Sequence, residues 1–216
     1  MHPVDCGEWE YTTHPLYSGL DWRCSASLNS LFAPNNVSIS SLMGDTRPVH
    51  ANWFEQLTPS GQGYLAGNYR GSSHHCLEFR PVFIAKNSGT KPDLVATEMA
   101  NFHAELARVM ATLDLKLTAL QSASGKKKPA IRAEFIVQLG EIAAAFYILF
   151  LVIHPYANGN GHISRWIVWL ILIRAKHHPK TWPLNARPPT NQLIQQYRDG
   201  ETEPLVRFII KAIRGH

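Results

Sequence analysis

The sequence predicts a mainly α-helical fold with one small β element. Three observations carry this. Apolar residues recur at helical spacing through two long stretches, Pro92 to Leu120 and Ile131 to Ile153. A third apolar stretch, Ile163 to Arg174, exceeds the usual length of a strand. Alternation of apolar and polar residues is best developed in the short run Leu77 to Ile84. The expected architecture is about six to eight helices around two central ones.

Residues 1–44 read as an N-terminal extension without a legible fold, and residues 45–214 as one helical domain. In the extension, Trp9, Tyr11, Tyr17 and Trp22 stand among Pro and Gly. They favour a packed segment over disorder, with no helix longer than Ser25 to Phe32. Asn36 to Gly44 is a short Val/Ile/Leu-bearing segment. Arg47 to Leu57 places Val49, Trp53, Phe54 and Leu57 at helical spacing, with Asp45 or Thr46 as N-cap and Pro48 in the first turn. His50 within it reads as a packed or surface histidine. Pro81 makes Leu77 to Ile84 an edge or interrupted strand. His74, His75 and Cys76 read as a polar turn, because adjacent ligands without a companion cluster do not make a metal site.

Pro92 to Leu120 carries Leu94, Met99, Phe102, Leu106, Val109, Met110, Leu113 and Leu117 on one stripe. Ser122 to Pro129 is a loop whose Lys126 to Lys128 run is a solvated turn. Ile131 to Ile153 is the first central helix, interrupted only by Gly140, and its apolar end from Ala143 should be buried all round. Ile163 to Arg174 is the second, with Trp166 and Trp169 in its body and cations at its C-terminus. Pro179 to Pro189 is a loop. Thr190 to Tyr197 is a short helix capped by Thr190 or Asn191 and ended by Asp199-Gly200. Pro204 to Arg214 is an amphipathic helix carrying Leu205, Phe208, Ile209 and Ile213.

With 216 residues and 45% hydrophobic content, the chain suffices for one well-buried core. A net charge of +5 and a pI near 9.2 suit an acidic small ligand but fall short of a nucleic-acid interface. Cys6, Cys24 and Cys76 are odd in number and widely spaced, which argues against a disulfide scaffold. The N-terminus lacks a basic-then-apolar signal pattern. No apolar run is expected to reach the ~18 residues of a membrane span, the longest being cut at His154. The expectation is a cytoplasmic protein with neither nucleic-acid nor membrane partners.

Between the two central helices lies His154-Pro-Tyr-Ala-Asn-Gly-Asn-Gly-His-Ile-Ser-Arg165. Pro155 disfavours helical backbone at His154 and suits a chain leaving a helix. Gly159 and Gly161 can take positive φ, which lets successive N–H groups point into one concavity. That concavity opens on the N-terminus of the next helix, where unpaired N–H groups and the dipole favour an anion. Arg165 follows closely enough to grip a phosphate, sharing a face with His162. His154 is placed to act as a general base. The set points to phosphate chemistry.

At these residues the sequence resembles the Fic (Fido) family, whose motif reads H-P-F-x-D/E-G-N-G-R-x-x-R. The resemblance implies a Fic-type helical core with a small β-hairpin flap. It runs loosely from about Arg47 to Arg214 and includes Ala66-Gly67-Asn68-Tyr69-Arg70. There Arg70 would either touch the active site or make a structural salt bridge. It further implies transfer of AMP from ATP, or of another NMP from an NTP, to a Tyr, Ser or Thr hydroxyl of a target protein. His154 would deprotonate that hydroxyl. Gly159, Asn160 and Gly161 would hold the inner phosphates, and Arg165 the outer one. Residues Tyr69 to Ala85, with Tyr69, Phe79 and Val82, would form the flap that docks the target by strand addition.

Two positions depart from the pattern. Asn158 stands where the family has an acidic ligand for Mg²⁺, and a neutral amide brings no charge to the metal. His162 stands where the family has its first Arg and cannot make a bidentate phosphate grip. These changes keep open a transferase using a different phosphate-containing donor. They also keep open a degenerate Fic fold that binds a nucleotide or protein without turnover. The family's inhibitory S/T-x-x-x-E-G/N helix has no counterpart here, since no Glu is followed by Gly or Asn. The chain is then unrestrained, restrained by a separate inhibitor protein, or in no need of restraint.

Overall fold

The structure is a computed structural model that describes residues 6–7, 9–32, 38–84, 87–178 and 191–214. The expected loop Pro179 to Pro189, the Thr190 cap and the flap residue Ala85 lie outside the described residues. Among the described residues, eight α-helices make the fold mainly α: α1 (Leu20–Ser30), α2 (Ile39–Gly44), α3 (Arg47–Phe54), α4 (Pro92–Ser122), α5 (Lys128–Ile153), α6 (Asn160–Arg174), α7 (Asn191–Arg198) and α8 (Glu203–Arg214). Helix α5 is central and packs against α4, α6 and α8.

Each long helix follows from its apolar spacing. Helix α4 starts at Pro92, where a missing N–H costs nothing. It buries Val95, Met99, Phe102, Leu106, Met110, Leu113 and Leu120. Leu94, expected on this stripe, is exposed, and Val95 takes its place. Helix α6 buries Asn160 and every residue from His162 to Ile173, so it threads the middle of the core.

Helix α5 starts at Lys128, three residues before the expected Ile131. Its end is not buried all round: Ala145 and Leu149 are exposed on the line that also carries Val137 and Glu141. Gly140 does not break it. A Cβ there would lie 2.9 Å from Ile210 Cγ1 and 3.3 Å from Val206 Cγ1, so the glycine lets α8 approach closely. By length and composition, Gly125–Ile153 is apolar enough to cross a membrane, which corrects the sequence expectation. Here the segment forms the core helix between α4, α6 and α8.

The N-terminal residues join the same core rather than standing apart. Trp9, Tyr11, Leu20, Cys24 and Leu31 are all buried within it. The helix expected from Ser25 begins earlier, at Leu20. At the start of α3, Asp45 caps by accepting the Arg47 N–H at 2.9 Å. Thr46, at the N-cap position, instead bonds the Tyr156 hydroxyl at 2.6 Å. Cys6 and Cys76 are joined by a disulfide, a pairing that the odd cysteine count did not suggest.

Of the strand expected over Leu77 to Ile84 only Phe83–Ile84 forms, and Leu77 to Phe79 is turn. Leu77 and Glu78 both donate N–H groups to the His74 carbonyl, and Arg80 donates to Leu77. Leu77 is buried and Cys76 is fixed by its disulfide, so this stretch cannot extend. Strand pairing among the described residues is limited to β1 (Phe83–Ile84) against β2 (Asn87–Ser88), antiparallel, with Phe83 opposite Ser88.

Candidate functional site

His154 terminates α5 in the left-handed region, at φ 52° and ψ 59°. A non-glycine residue holds that conformation only where its surroundings impose it. Here Arg70 imposes it. Its buried guanidinium donates to the carbonyls of His154 (2.8 Å), Ile153 (3.1 Å), Arg80 (2.8 Å) and Thr90 (2.9 Å). The Arg70 N–H also bonds the Pro155 carbonyl at 2.8 Å. Two of these acceptors are end-of-helix carbonyls that would otherwise lack partners. Arg70 is thus neither a salt-bridge partner nor a ligand-facing group, contrary to both sequence readings. It is the clamp on the α5 terminus. Burial, with the nearby Arg80 charge, lowers its pKa to about 10.

The His154 ring has Nδ1 at 3.3 Å from the Leu151 carbonyl. Because a carbonyl only accepts, this geometry puts the proton on Nδ1 and the free lone pair on Nε2. Burial, and then the Arg70 charge, lower the imidazole pKa to about 4. His154 is neutral at pH 7, the form a general base needs. It lines a cavity of about 320 Å³ together with Trp9, Glu10, Arg80, Pro81, Val82, Ala157 and Asn158.

The loop between α5 and α6 is held by its own polar side chains. Asn160 accepts the Tyr156 N–H and donates to the Tyr156 carbonyl, both at 2.9 Å. The Tyr156 ring stacks on His50 at 3.7 Å between centroids. His50 accepts the Gly67 N–H on Nδ1 (2.9 Å), so its Nε2 donates to the Asn158 carbonyl (3.0 Å). Burial lowers its pKa to about 3, and it is a packed histidine that fixes the loop.

Gly159 caps α6 at φ 78°, and a Cβ there would stand 2.6 Å from the Phe54 ring. Both the backbone and the space require glycine. Gly161 differs from expectation: it lies inside the helix, which begins one residue earlier, and it needs no positive φ. A Cβ there would meet Arg165 Nη1 at 3.5 Å, an ordinary contact. His162 and Ile163 donate their N–H groups to the Gly159 carbonyl at 3.0 and 3.3 Å, so the anion-favouring end of α6 is made by the Asn160 and Gly161 N–H groups.

Arg165 is buried and curls back on Gly161, with the Tyr147 hydroxyl within its hydrogen-bonding reach. It lies beneath the helix end and does not line the His154 cavity. His162 is buried, with Nδ1 at 3.4 Å from the Tyr11 hydroxyl and its ring against Tyr11 and Phe54. Asn158 donates to the Trp9 carbonyl at 2.6 Å and accepts the Gly159 N–H at 2.8 Å. Its one side-chain oxygen is therefore already engaged. A single neutral, engaged oxygen is a poor match to a hard cation that prefers several charged oxygens, so the motif does not fit Mg²⁺ well.

Of the three residues expected in a flap, Val82 lines the cavity beside His154. Gly89 sits tightly between them, since a Cβ there would be 2.6 Å from Val82 Cγ2 and 3.6 Å from His154 Cβ. Tyr69 packs on Tyr156 at 5.3 Å, under the Arg47 guanidinium, and does not line the cavity. Phe79 is exposed and is not among the residues that line it. His75 and Cys76 do gain a companion, Cys6, within 4.8 Å, but both sulfurs are spent in the disulfide. The sequence reading missed Trp9, Glu10, Tyr11 and Arg80 as site residues. Its one signal was the pair of aromatics in the N-terminal stretch.

A buried helix end carrying a neutral His, followed by a glycine-capped helix N-terminus, defines a site suited to proton abstraction beside an anion. No protein-family model matches this sequence. A stretch of 67 residues, 31% of the chain, is 33% identical to proteins named protein adenylyltransferase Fic from Drosophila virilis and Drosophila melanogaster, and covers 14% of each. The same protein from Drosophila mojavensis matches equally, over 13% of its length. The similarity thus spans about a seventh of these curated relatives.

Proposed function

We propose that the chain is a Fic-like nucleotidyltransferase that moves AMP, or another NMP, from a nucleoside triphosphate to a hydroxyl of a target protein. The observation that carries this is the placement of His154. Its neutral imidazole lines a polar cavity and stands six residues before the N-terminus of α6. The similarity to protein adenylyltransferases supports the same reading at the level of class. In this reading residues 45–214 are the catalytic unit and residues 1–44 its extension.

His154 Nε2 takes the proton of the target hydroxyl as its oxygen attacks the α-phosphorus in line, and pyrophosphate leaves. The Asn160 and Gly161 N–H groups at the start of α6 stabilise charge on the phosphoryl oxygens, with the Arg165 charge close beneath them. Asn160 and Gly159 shape the cradle, with His162 in the same turn and Arg165 assigned to the outer phosphate. Val82 and the adjoining strand pair form the flap edge for the target segment. The donor nucleotide would bind with little help from Mg²⁺, because Asn158 offers no charge.

The test is intact mass of the purified chain incubated with ATP, UTP, GTP and CTP in turn, with and without Mg²⁺. His154→Ala is the control. A donor-specific gain of one NMP, lost in His154→Ala, is the expected result. A gain that persists in that variant removes His154 from its role.

A second reading has its own observation: Trp9 and Tyr11 cover Asn158 and His162. A covered cradle fits a non-catalytic binding module, or a transferase using a smaller phosphate-containing donor. No mass gain together with no nucleotide binding by calorimetry would favour it.

A further inference from the structure

We propose that residues 9–13 form a lid over the candidate nucleotide site, latched by the Cys6–Cys76 disulfide and released by a dithiol reductant. The proposal rests on the nucleotide-binding reading above.

The lid lies on the motif itself. The Trp9 carbonyl takes the Asn158 amide at 2.6 Å, and the Tyr11 hydroxyl stands 3.4 Å from His162 Nδ1. The Tyr11 ring also packs edge-on to Phe54 at 5.0 Å, the ring that Gly159 abuts. A triphosphate seated on the start of α6 needs this space. The lid and the ligand therefore compete, and a closed lid lowers the apparent affinity by its population.

The segment joins the core through two rings, Trp9 and Tyr11, while the rest of it is open to solvent. Its regular structure is a three-residue turn, Tyr11–Thr13. Glu10, Thr12 and Thr13 are exposed. Besides ring packing and its carbonyl bond to Asn158, Trp9 is anchored by its indole N–H, which donates to the Leu57 carbonyl at 2.7 Å.

The latch is placed to hold it. Cys6 lies three residues before Trp9 and is bonded across 70 residues to Cys76. Cys76 is fixed in turn. Its neighbour Leu77 is buried and accepts the Gly71 N–H at 2.7 Å, next to the clamp residue Arg70. The bond thus ties the lid to the wall that carries His154. This added tie, close to Trp9, raises the effective concentration of the lid at the site above that set by the chain alone.

Cys6 is the more exposed of the two sulfurs, and Cys76 is 3% exposed. An external thiolate attacks Cys6 Sγ, the S–S bond breaks, and the electron pair leaves on Cys76 Sγ. The His75 ring, within 4.8 Å of both sulfurs, can hydrogen-bond that leaving thiolate. The reagent's second thiol then displaces Cys6 as a thiol and closes a cyclic disulfide, so the protein gains two electrons and two protons. Cys24 is buried, and its thiol pKa is pushed up to about 12, so it stands apart from this exchange.

The test is hydrogen–deuterium exchange on the full chain, oxidised and after dithiothreitol, with Cys6→Ser as the genetically opened form. Peptides covering residues 9–13 and 157–162 should exchange at least tenfold faster in both opened forms. Unchanged exchange overturns the latch. Titration with ATP by calorimetry then reads the consequence. Affinity at least tenfold tighter after reduction supports gating, and equal affinity in both states overturns it. Faster exchange with no ATP binding in either state keeps the latch and removes the nucleotide reading.

Discussion

Arg70 Nε holds the carbonyl of His154 at 2.8 Å, so the residue proposed as base is positioned by an arginine that never faces the cavity. The clamp gathers four carbonyls from three separate stretches of chain. Replacing Arg70 by Met should leave these buried acceptors without partners. Losing several buried bonds of this kind costs about 3 kcal/mol or more. Thermal unfolding should fall by roughly 6–12 °C for a domain of this size. Arg70→Lys should recover little, because one ammonium cannot reach all four oxygens. A melting point within 2 °C of the parent, on the order of 1 kcal/mol or less, would remove the clamp.

His154 and His50 both have folded pKa values below the ordinary 6.5, at about 4 and about 3. The unfolded chain therefore binds more protons between those values, and stability must fall as pH falls through that window. The loss begins near pH 6.5 and grows towards pH 4. For His154 alone it reaches about 3 kcal/mol below pH 4. Urea midpoints at pH 7, 5.5 and 4.5 measure it, and His154→Gln should flatten the slope. For the same reason, any transfer activity should show no inflection at pH 6.5. An inflection there would mean that the imidazole titrates normally.

Gly159 and Gly161 should respond differently to alanine. At Gly159 the positive φ and the Phe54 ring both oppose a Cβ, and the cost should be about 2–3 kcal/mol. At Gly161, inside α6, the added methyl meets ordinary contact. There stability should stay level or rise by up to about 1 kcal/mol. Chemical denaturation of the two variants side by side checks this. Equal losses would contradict the one-residue shift of the helix start.

Asn160→Asp keeps the size of the side chain and removes its donor. The new carboxylate oxygen would face the Tyr156 carbonyl at the present 2.9 Å separation. The loop should lose about 2–4 kcal/mol, since a buried charge would meet an acceptor. Asn160→Asp should regain stability as pH falls through the carboxyl pKa, because protonation restores a donor. A variant as stable as the parent at pH 7 would show that the bidentate contact is not formed.

Much of the helical frame was legible in the sequence, for a simple reason. Residues such as Met99, Phe102 and Leu106 recur at the helix period, and burial of that face is a local property of the pattern. The central motif was legible as a loop between two helices because Pro155 and Gly159 carry their backbone preferences with them. The reading failed where the deciding partner lay far along the chain. Leu77 to Ile84 alternates like a strand, yet Cys76 is tied to Cys6 and the run turns instead. Gly140 reads as a breaker, yet it makes room for Ile210.

The sequence by itself determined that the chain is mainly helical, where its central helices break, and which residues gather at the break. Local periodicity and the fixed torsions of Pro and Gly suffice for that. Only the tertiary structure decided what each of those residues does. It turned Arg70 into a clamp, spent Asn160 and His50 on holding the loop, and sank Arg165 beneath the helix end. It also laid Trp9 and Tyr11 over the motif. These outcomes depend on contacts between residues up to 151 positions apart. Such contacts are selected by packing of the whole core and leave no periodic trace in the chain.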